Sequence, residues 1–171
     1  MQAAELRGRQ APLKAKYKDD PSSARVTVRA EGIIDGEAPI CHVPGWAGTA
    51  KAGLHPSTGG DGSEACSADM LLEALVACAG VTLKAVAVAM EIPLQSAKVI
   101  AEGTFDARGT LGVDKAAPVG LSEVTLRFEV ESPADPAKLE KLVQLSERYC
   151  VIYQTLKNSP ALTSEADIRQ T

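Results

Sequence analysis

Ser67–Met90, SADMLLEALVACAGVTLKAVAVAM, is the longest apolar stretch of the chain and carries Cys78 at its middle. Ala and Leu dominate it, and both are strong helix formers. Ser67 is a suitable N-cap, and Asp69 places negative charge at the positive end of the helix dipole. Pro93 blocks continuation, because its ring clashes with the preceding turn and it has no N–H to donate. Leu71, Leu72, Leu75, Val76, Val81, Val86 and Val88 fall on every face, so the segment reads as a buried central helix. Glu73 and Lys84 interrupt the apolar run, which argues against a membrane span. The small residues Ala74, Ala77, Ala79, Gly80, Ala85 and Ala87 permit close approach of another backbone, from a sheet or from a second subunit.

Downstream, Ala97–Arg108 reads as a strand with Val99, Ala101, Gly103 and Phe105 on one face. Leu121–Glu131 is the clearest strand, since Val124, Leu126, Phe128 and Val130 alternate with charged and polar residues. Asp135 followed by Pro136 has the chemistry of a helix start, and Leu139, Leu142, Val143, Ser146 and Cys150 then recur at helical spacing. A short helix is expected over Val151–Lys157, ending before Pro160.

Upstream, residues 1–12 read as a polar arm or tail. Leu13–Lys18 and Arg25–Glu31 both alternate apolar and polar residues, the pattern of half-buried strands. Pro39–Cys66 is rich in Gly, Pro, Ser and Thr and reads as a long connection through Trp46. Its glycines at 59, 60 and 62 lack the Lys of a phosphate loop, so no cofactor motif is read there. The order of elements predicts one α+β domain over 13–171, with an antiparallel sheet wrapped against the long helix.

The chain of 171 residues is 45% hydrophobic and carries a net charge of −4, with no basic run. That balance argues against a nucleic-acid surface, which needs clustered Lys and Arg. The polar N-terminus shows no secretory h-region, so a cytoplasmic location is expected, where four cysteines stay reduced. Cys78 and Cys150 lie on two helices expected to pack together. A thiolate is the reactive form of cysteine, and a second thiol can condense with its sulfenic acid. The competing reading is that both are simply buried, the commonest fate of a free cysteine. Cys41, His42, His55 and Cys66 include ligand types for zinc, but no paired spacing preorganises them, and no metal site is expected.

The block SADMLLEALVACAGVTLKAVAVAMEIPL, followed far downstream by LSERYCVIYQTLKNSP, resembles the OsmC/Ohr family of osmotically inducible and organic hydroperoxide resistance proteins. The resemblance runs in order from about Leu13 to Pro160. It implies an intertwined homodimer with sites at the subunit boundary, and thiol peroxidase activity towards organic hydroperoxides. Cys78 then matches the peroxidatic cysteine and Cys150 the resolving one, with a lipoyl-type dithiol as reductant. The family places a glutamate ten residues before the first cysteine, paired with an arginine. Here that position is Ala68, with Asp69 as a substitute one residue on and Arg25, then Arg29, as the arginine. Val151 stands where the family has proline. The alternative implied is a member without peroxidase activity that serves as a small-molecule binding or redox-sensing module. A purely structural dimer is the third reading.

Overall fold

The computed structural model describes residues 1–170. In chain order its elements are α1 (Ala3–Asp19), β1 (Cys41–Gly45), β2 (Gly48–Gly53), β3 (Ala65–Cys66), α2 (Ser67–Ala89), β4 (Ser96–Phe105), α3 (Ala107–Thr110), β5 (Leu121–Glu131), α4 (Pro136–Tyr149) and α5 (Val151–Lys157). The chain is thus a mixed α+β fold.

The apolar stretch forms α2 as expected, with its cap and its start each one residue earlier than the sequence predicts. Cys66 holds the N-cap position without a side-chain hydrogen bond, and Ser67 is the first helical residue. Asp69 lies in the first turn, at the favourable end of the dipole. At the other end Glu91 takes a left-handed conformation with φ of 56°, and the Ile92 N–H donates to the Ala87 carbonyl at 2.9 Å. This satisfies a carbonyl the ended helix leaves free. Arg7 of α1 reaches the same corner, donating to the Glu91 carboxylate at 2.9 Å and to the Ala89 carbonyl at 3.4 Å.

Leu75, Ala79, Leu83 and Ala87 are the buried residues of α2, one every four positions, and so form a single stripe. Leu83 and Ala87 join Ile92 and Leu142 in one core cluster, flanked by Val99, Phe128, Val130 and Leu139. Leu75 and Ala79 join Cys150 in a second. The expectation of a helix buried all round is therefore corrected for the single chain. Val81 is 73% exposed and Leu71 39%, because β4, α4 and α5 cover one side only. By length and composition α2 would suffice to cross a membrane, and in the fold its buried stripe lies against those elements instead.

The strands form two sheets rather than one. β4 and β5 pair antiparallel from Ser96 opposite Glu131 to Phe105 opposite Leu121, with an irregularity at Thr104 and Phe105. Their inward residues include Val99, Ala101, Leu126 and Phe128, as the alternation in sequence required. α4 starts where Asp135 accepts from the Ala137 N–H at 2.9 Å, with Pro136 in its first turn. Its buried positions Leu142 and Ser146 are one turn apart, and the Ser146 hydroxyl donates to the Leu142 carbonyl at 2.7 Å.

The second sheet lies in the stretch expected to be a connection. β1 and β2 form a hairpin turning at Trp46 and Ala47, and β3 adds parallel to β2. Gly48 there has φ of 127°, a conformation that favours glycine. Trp46 stands at the tip, 101% exposed, so it lines no pocket of the single chain. The expected strand at Leu13–Lys18 is instead the end of α1, which runs through Pro12 and so crosses the arm boundary drawn at residue 12. Arg25–Glu31 belongs to no strand, and its Val26 and Val28 are exposed.

Candidate active site

Cys150 closes α4 and caps α5 at once. Its backbone turns to an extended conformation, φ −75° and ψ 111°, and its sulfur accepts from the Tyr153 N–H at 3.4 Å. The side chain is fully buried between α2 and the β4–β5 sheet, beside Leu75, Ala79, Leu126 and Phe128. Cys78, half-buried on α2, packs against the same cluster. The two thiols, 72 positions apart in sequence, thus share one cluster, and each bears on the other's ionisation. Both are free thiols.

Ile152 and Tyr153 of α5 pack against the cluster that holds both cysteines. Burial works to raise this thiol, but it is outweighed by hydrogen bonds to the sulfur from the Ile152 N–H, the Cys150 thiol, the Val151 N–H and the Thr82 hydroxyl. Together these hold Cys78 below the ordinary thiol value. Cys150 moves the other way. Burial raises it first, and the neighbouring Cys78 sulfur adds to the rise, because a second negative charge there is disfavoured. The N–H groups of Tyr153 and Ile152 oppose the rise without cancelling it. The pair therefore ionises in order, Cys78 before Cys150.

A hollow of about 540 Å³ opens beside the pair, lined by Leu71, Leu75, Leu121, Leu126, Tyr153 and Leu156, with Lys157 at its margin. Leu75, Leu126 and Tyr153 also belong to the thiol cluster, so the hollow shares walls with the two cysteines. The five leucines and Tyr153 make up the apolar part of its surface, beside Ser122, Glu123 and Ser159.

The other residues singled out from sequence lie elsewhere in the single chain. Asp69 is exposed at the start of α2, and Arg25 is exposed after the turn that follows α1. Neither is among the groups that hydrogen-bond the Cys78 sulfur, and among the described residues neither side chain has an ion-pair partner. Arg29 pairs with Glu31 at 2.9 Å. The cysteines and histidines of the hairpin region disperse. His42 faces Asp35 at 3.2 Å, and His55 accepts from the Ser57 N–H at 3.0 Å. Cys66 lies at the start of α2, and Cys41 packs against the Gly32 backbone. Among the described residues no three side chains of ligating type converge on a metal position.

Thr82 and Ile152 were not singled out from sequence, and Val151 was noted only as standing where the family has proline. A signal for Thr82 was present, since residues four apart share a helix face and Thr82 follows Cys78 by four. The backbone donors carry no side-chain signature; only the expected helix start after Cys150 pointed to them.

A buried dithiol held between a long helix, a two-stranded sheet and the start of a second helix defines a class: an α+β protein with a two-cysteine centre. The comparisons fix the family. The model of OsmC-like proteins matches residues 60–165, and the chain belongs to that family. Among solved structures, it resembles an OsmC-like protein from Mycoplasma pneumoniae, with TM-score 0.64 and 18% identity over 78% of this chain and 89% of that one. An organic hydroperoxide resistance protein from Elizabethkingia anophelis, with thiocyanate bound, has TM-score 0.62 and 14% identity over 79% and 92%. One from Legionella pneumophila, OsmC, has TM-score 0.60 and 17% identity over 78% and 93%. No curated protein matches the chain in sequence.

Proposed function

We propose that the protein is a thiol peroxidase that reduces organic hydroperoxides. The observation that carries this is the packing of two free thiols, Cys78 and Cys150, in one apolar cluster, with Cys78 held below its ordinary value and Cys150 above it. In the first step the Cys78 thiolate attacks the terminal oxygen of the hydroperoxide. The O–O bond breaks, the alkoxide leaves and takes up a proton as alcohol, and Cys78 becomes a sulfenic acid. The Cys150 sulfur then attacks the Cys78 sulfur, water leaves, and a disulfide forms. A dithiol of the lipoyl type restores both thiols by exchange and is itself oxidised to a disulfide. The apolar hollow at Leu71, Leu75 and Leu126 favours an organic chain over hydrogen peroxide.

The working form is a homodimer in this proposal. The open side of α2 at Val81, and the exposed Val26 and Val28 within an alternating stretch, present apolar surface that a second copy would cover. Arg25 of that copy is then the candidate to reach the thiol. A cytoplasmic setting suits a cycle that needs free thiols.

The experiment is consumption of cumene hydroperoxide with dihydrolipoamide as reductant. Wild type turns over, and Cys78→Ser does not. A wild type that consumes none would instead support the second reading, a binding or redox-sensing module. That reading is favoured by one observation: within the single chain neither Asp69 nor Arg25 meets the thiol.

A further inference from the structure

The joint between α4 and α5 gathers charge that the thiol pair does not use. The two helices border a cleft of about 400 Å³ whose lining includes Lys141, Arg148 and Lys157, with Glu147 as its one acid. Lys141 and Arg148 lie two turns apart on α4 and so share a face, and Lys157 comes from α5. Among the described residues none of these three cations has an ion-pair partner. Gln154 of α5 donates to the Glu147 carbonyl of α4 at 2.9 Å, which ties the helices together at the cleft. Arg148 lies 5.9 Å from the centre of the Tyr149 ring and Lys157 5.8 Å from that of Tyr153, so each cation rests on an aromatic face.

A cation in the last turn of a helix meets the negative end of its dipole, and this accounts for Arg148 and Lys157 taken singly. It does not account for Lys141, nor for three like charges meeting in one concavity on a chain of net charge −4. Like charges brought together repel, and an anion in the cleft relieves that repulsion. A second observation is what the cleft adjoins. Tyr153 and Lys157 also line the hollow walled by Leu71, Leu121, Leu126 and Leu156, so the cationic and the apolar spaces meet at those two residues. The acid of that hollow, Glu123, forms no ion pair with Lys157.

We propose that the cleft and the hollow together form one binding site for an anionic amphiphile, an alkyl chain with a carboxylate or phosphate head. Arg148 and Lys157 take the head, the leucines take the chain, and Lys141 adds to the positive field. The proposal goes beyond the peroxidase reading, because it concerns what is bound and holds whether or not a hydroperoxide is reduced.

The test is titration of the reduced full chain with decanoate, decyl phosphate and decanol, followed by backbone amide NMR shifts. Arg148 and Lys157 are exposed, so Arg148→Gln with Lys157→Gln removes charge without disturbing the core. Both anionic ligands should bind about tenfold tighter than decanol, the factor that two exposed ion pairs acting together supply, and the gap should shrink in high salt. The shifts should fall on α5 and around Leu71 and Leu126. The double variant should bind decanoate no tighter than decanol and bind decanol as wild type does. Decyl phosphate above decanoate assigns a phosphate head, and the reverse order a carboxylate. Equal binding of decanoate and decanol, a double variant that keeps the gap, or shifts elsewhere in the chain overturns the inference. So does acetate or inorganic phosphate binding as tightly as the decyl ligands, which leaves the leucines no part. The titration needs no turnover, so a wild type that consumes no cumene hydroperoxide removes the peroxidase reading alone.

Discussion

Replacing Cys150 should separate its chemical role from its structural one. Cys150 is fully buried and caps α5 through its sulfur, accepting from the Tyr153 N–H at 3.4 Å. Serine at an N-cap accepts this bond better than cysteine, and losing a cap to alanine costs about 1 kcal/mol. Against that, the smaller and more polar hydroxyl gives up apolar contact with Leu75 and Ala79, about 1 kcal/mol on the scale of one buried methylene. The two terms nearly offset, so Cys150→Ser should melt close to wild type. Cys150→Ala loses the cap and some packing together and should be about 2 kcal/mol less stable. Thermal or urea unfolding of the three proteins gives the ordering, and intact mass after an equimolar hydroperoxide pulse gives the chemistry. Cys150→Ser should gain one oxygen at Cys78 and form no intramolecular disulfide with Cys78. A loss of more than about 3 kcal/mol in Cys150→Ser would refute this reasoning, because it would make the sulfur a packing element.

Other outcomes follow from the same coordinates. Leu142→Ala empties the cluster that joins α4 to α2 and should cost about 2–5 kcal/mol in chemical denaturation, without moving the Cys78 alkylation curve. Glu91→Gly relieves a left-handed residue and should stabilise by about 1 kcal/mol in thermal melts, since the exposed Arg7 pair it removes is worth little. Gly109→Ala should destabilise the β4–β5 connection, because a Cβ there would lie 2.6 Å from the Pro118 carbonyl oxygen, and its melting point should fall. In the reduced protein, Cys78 should alkylate at lower pH than Cys150. The sign for stability follows. The lowered Cys78 value adds stability above the ordinary thiol range and loses it as pH falls through the folded value. The raised Cys150 value acts oppositely, so Cys150→Ser should make unfolding stability rise more with pH through that range than in wild type.

The half of the chain after Ser67 was legible because its elements bury their faces against one another within the chain. The alternation at Leu121–Glu131 and the Asp135-Pro136 start report local packing, and both elements appear with those bounds. The first half was not legible for the same reason reversed. Leu13–Lys18 alternates like a strand, but Ala, Leu, Arg, Gln and Lys over residues 3–19 favour helix when summed along the stretch, and the six-residue alternation was too short to outweigh them. Arg25–Glu31 has a strand pattern without a strand partner in the single chain. The Cys41–Gly53 hairpin turns through Gly45, Trp46, Ala47 and Gly48, without the Asn-Gly or Asp-Gly pair that most strongly marks a two-residue turn. At the site, the cysteines were visible as residue types, whereas the main-chain donors of α5 were not.

The central claim is that Cys78 and Cys150 form one redox centre. The most direct measurement is the free-thiol count and peptide map of the reduced protein seconds after a stoichiometric pulse of cumene hydroperoxide. The account predicts loss of two thiols and a single Cys78–Cys150 disulfide, with Cys41 and Cys66 still free. Retention of all four thiols, or a disulfide that excludes Cys78, would contradict it.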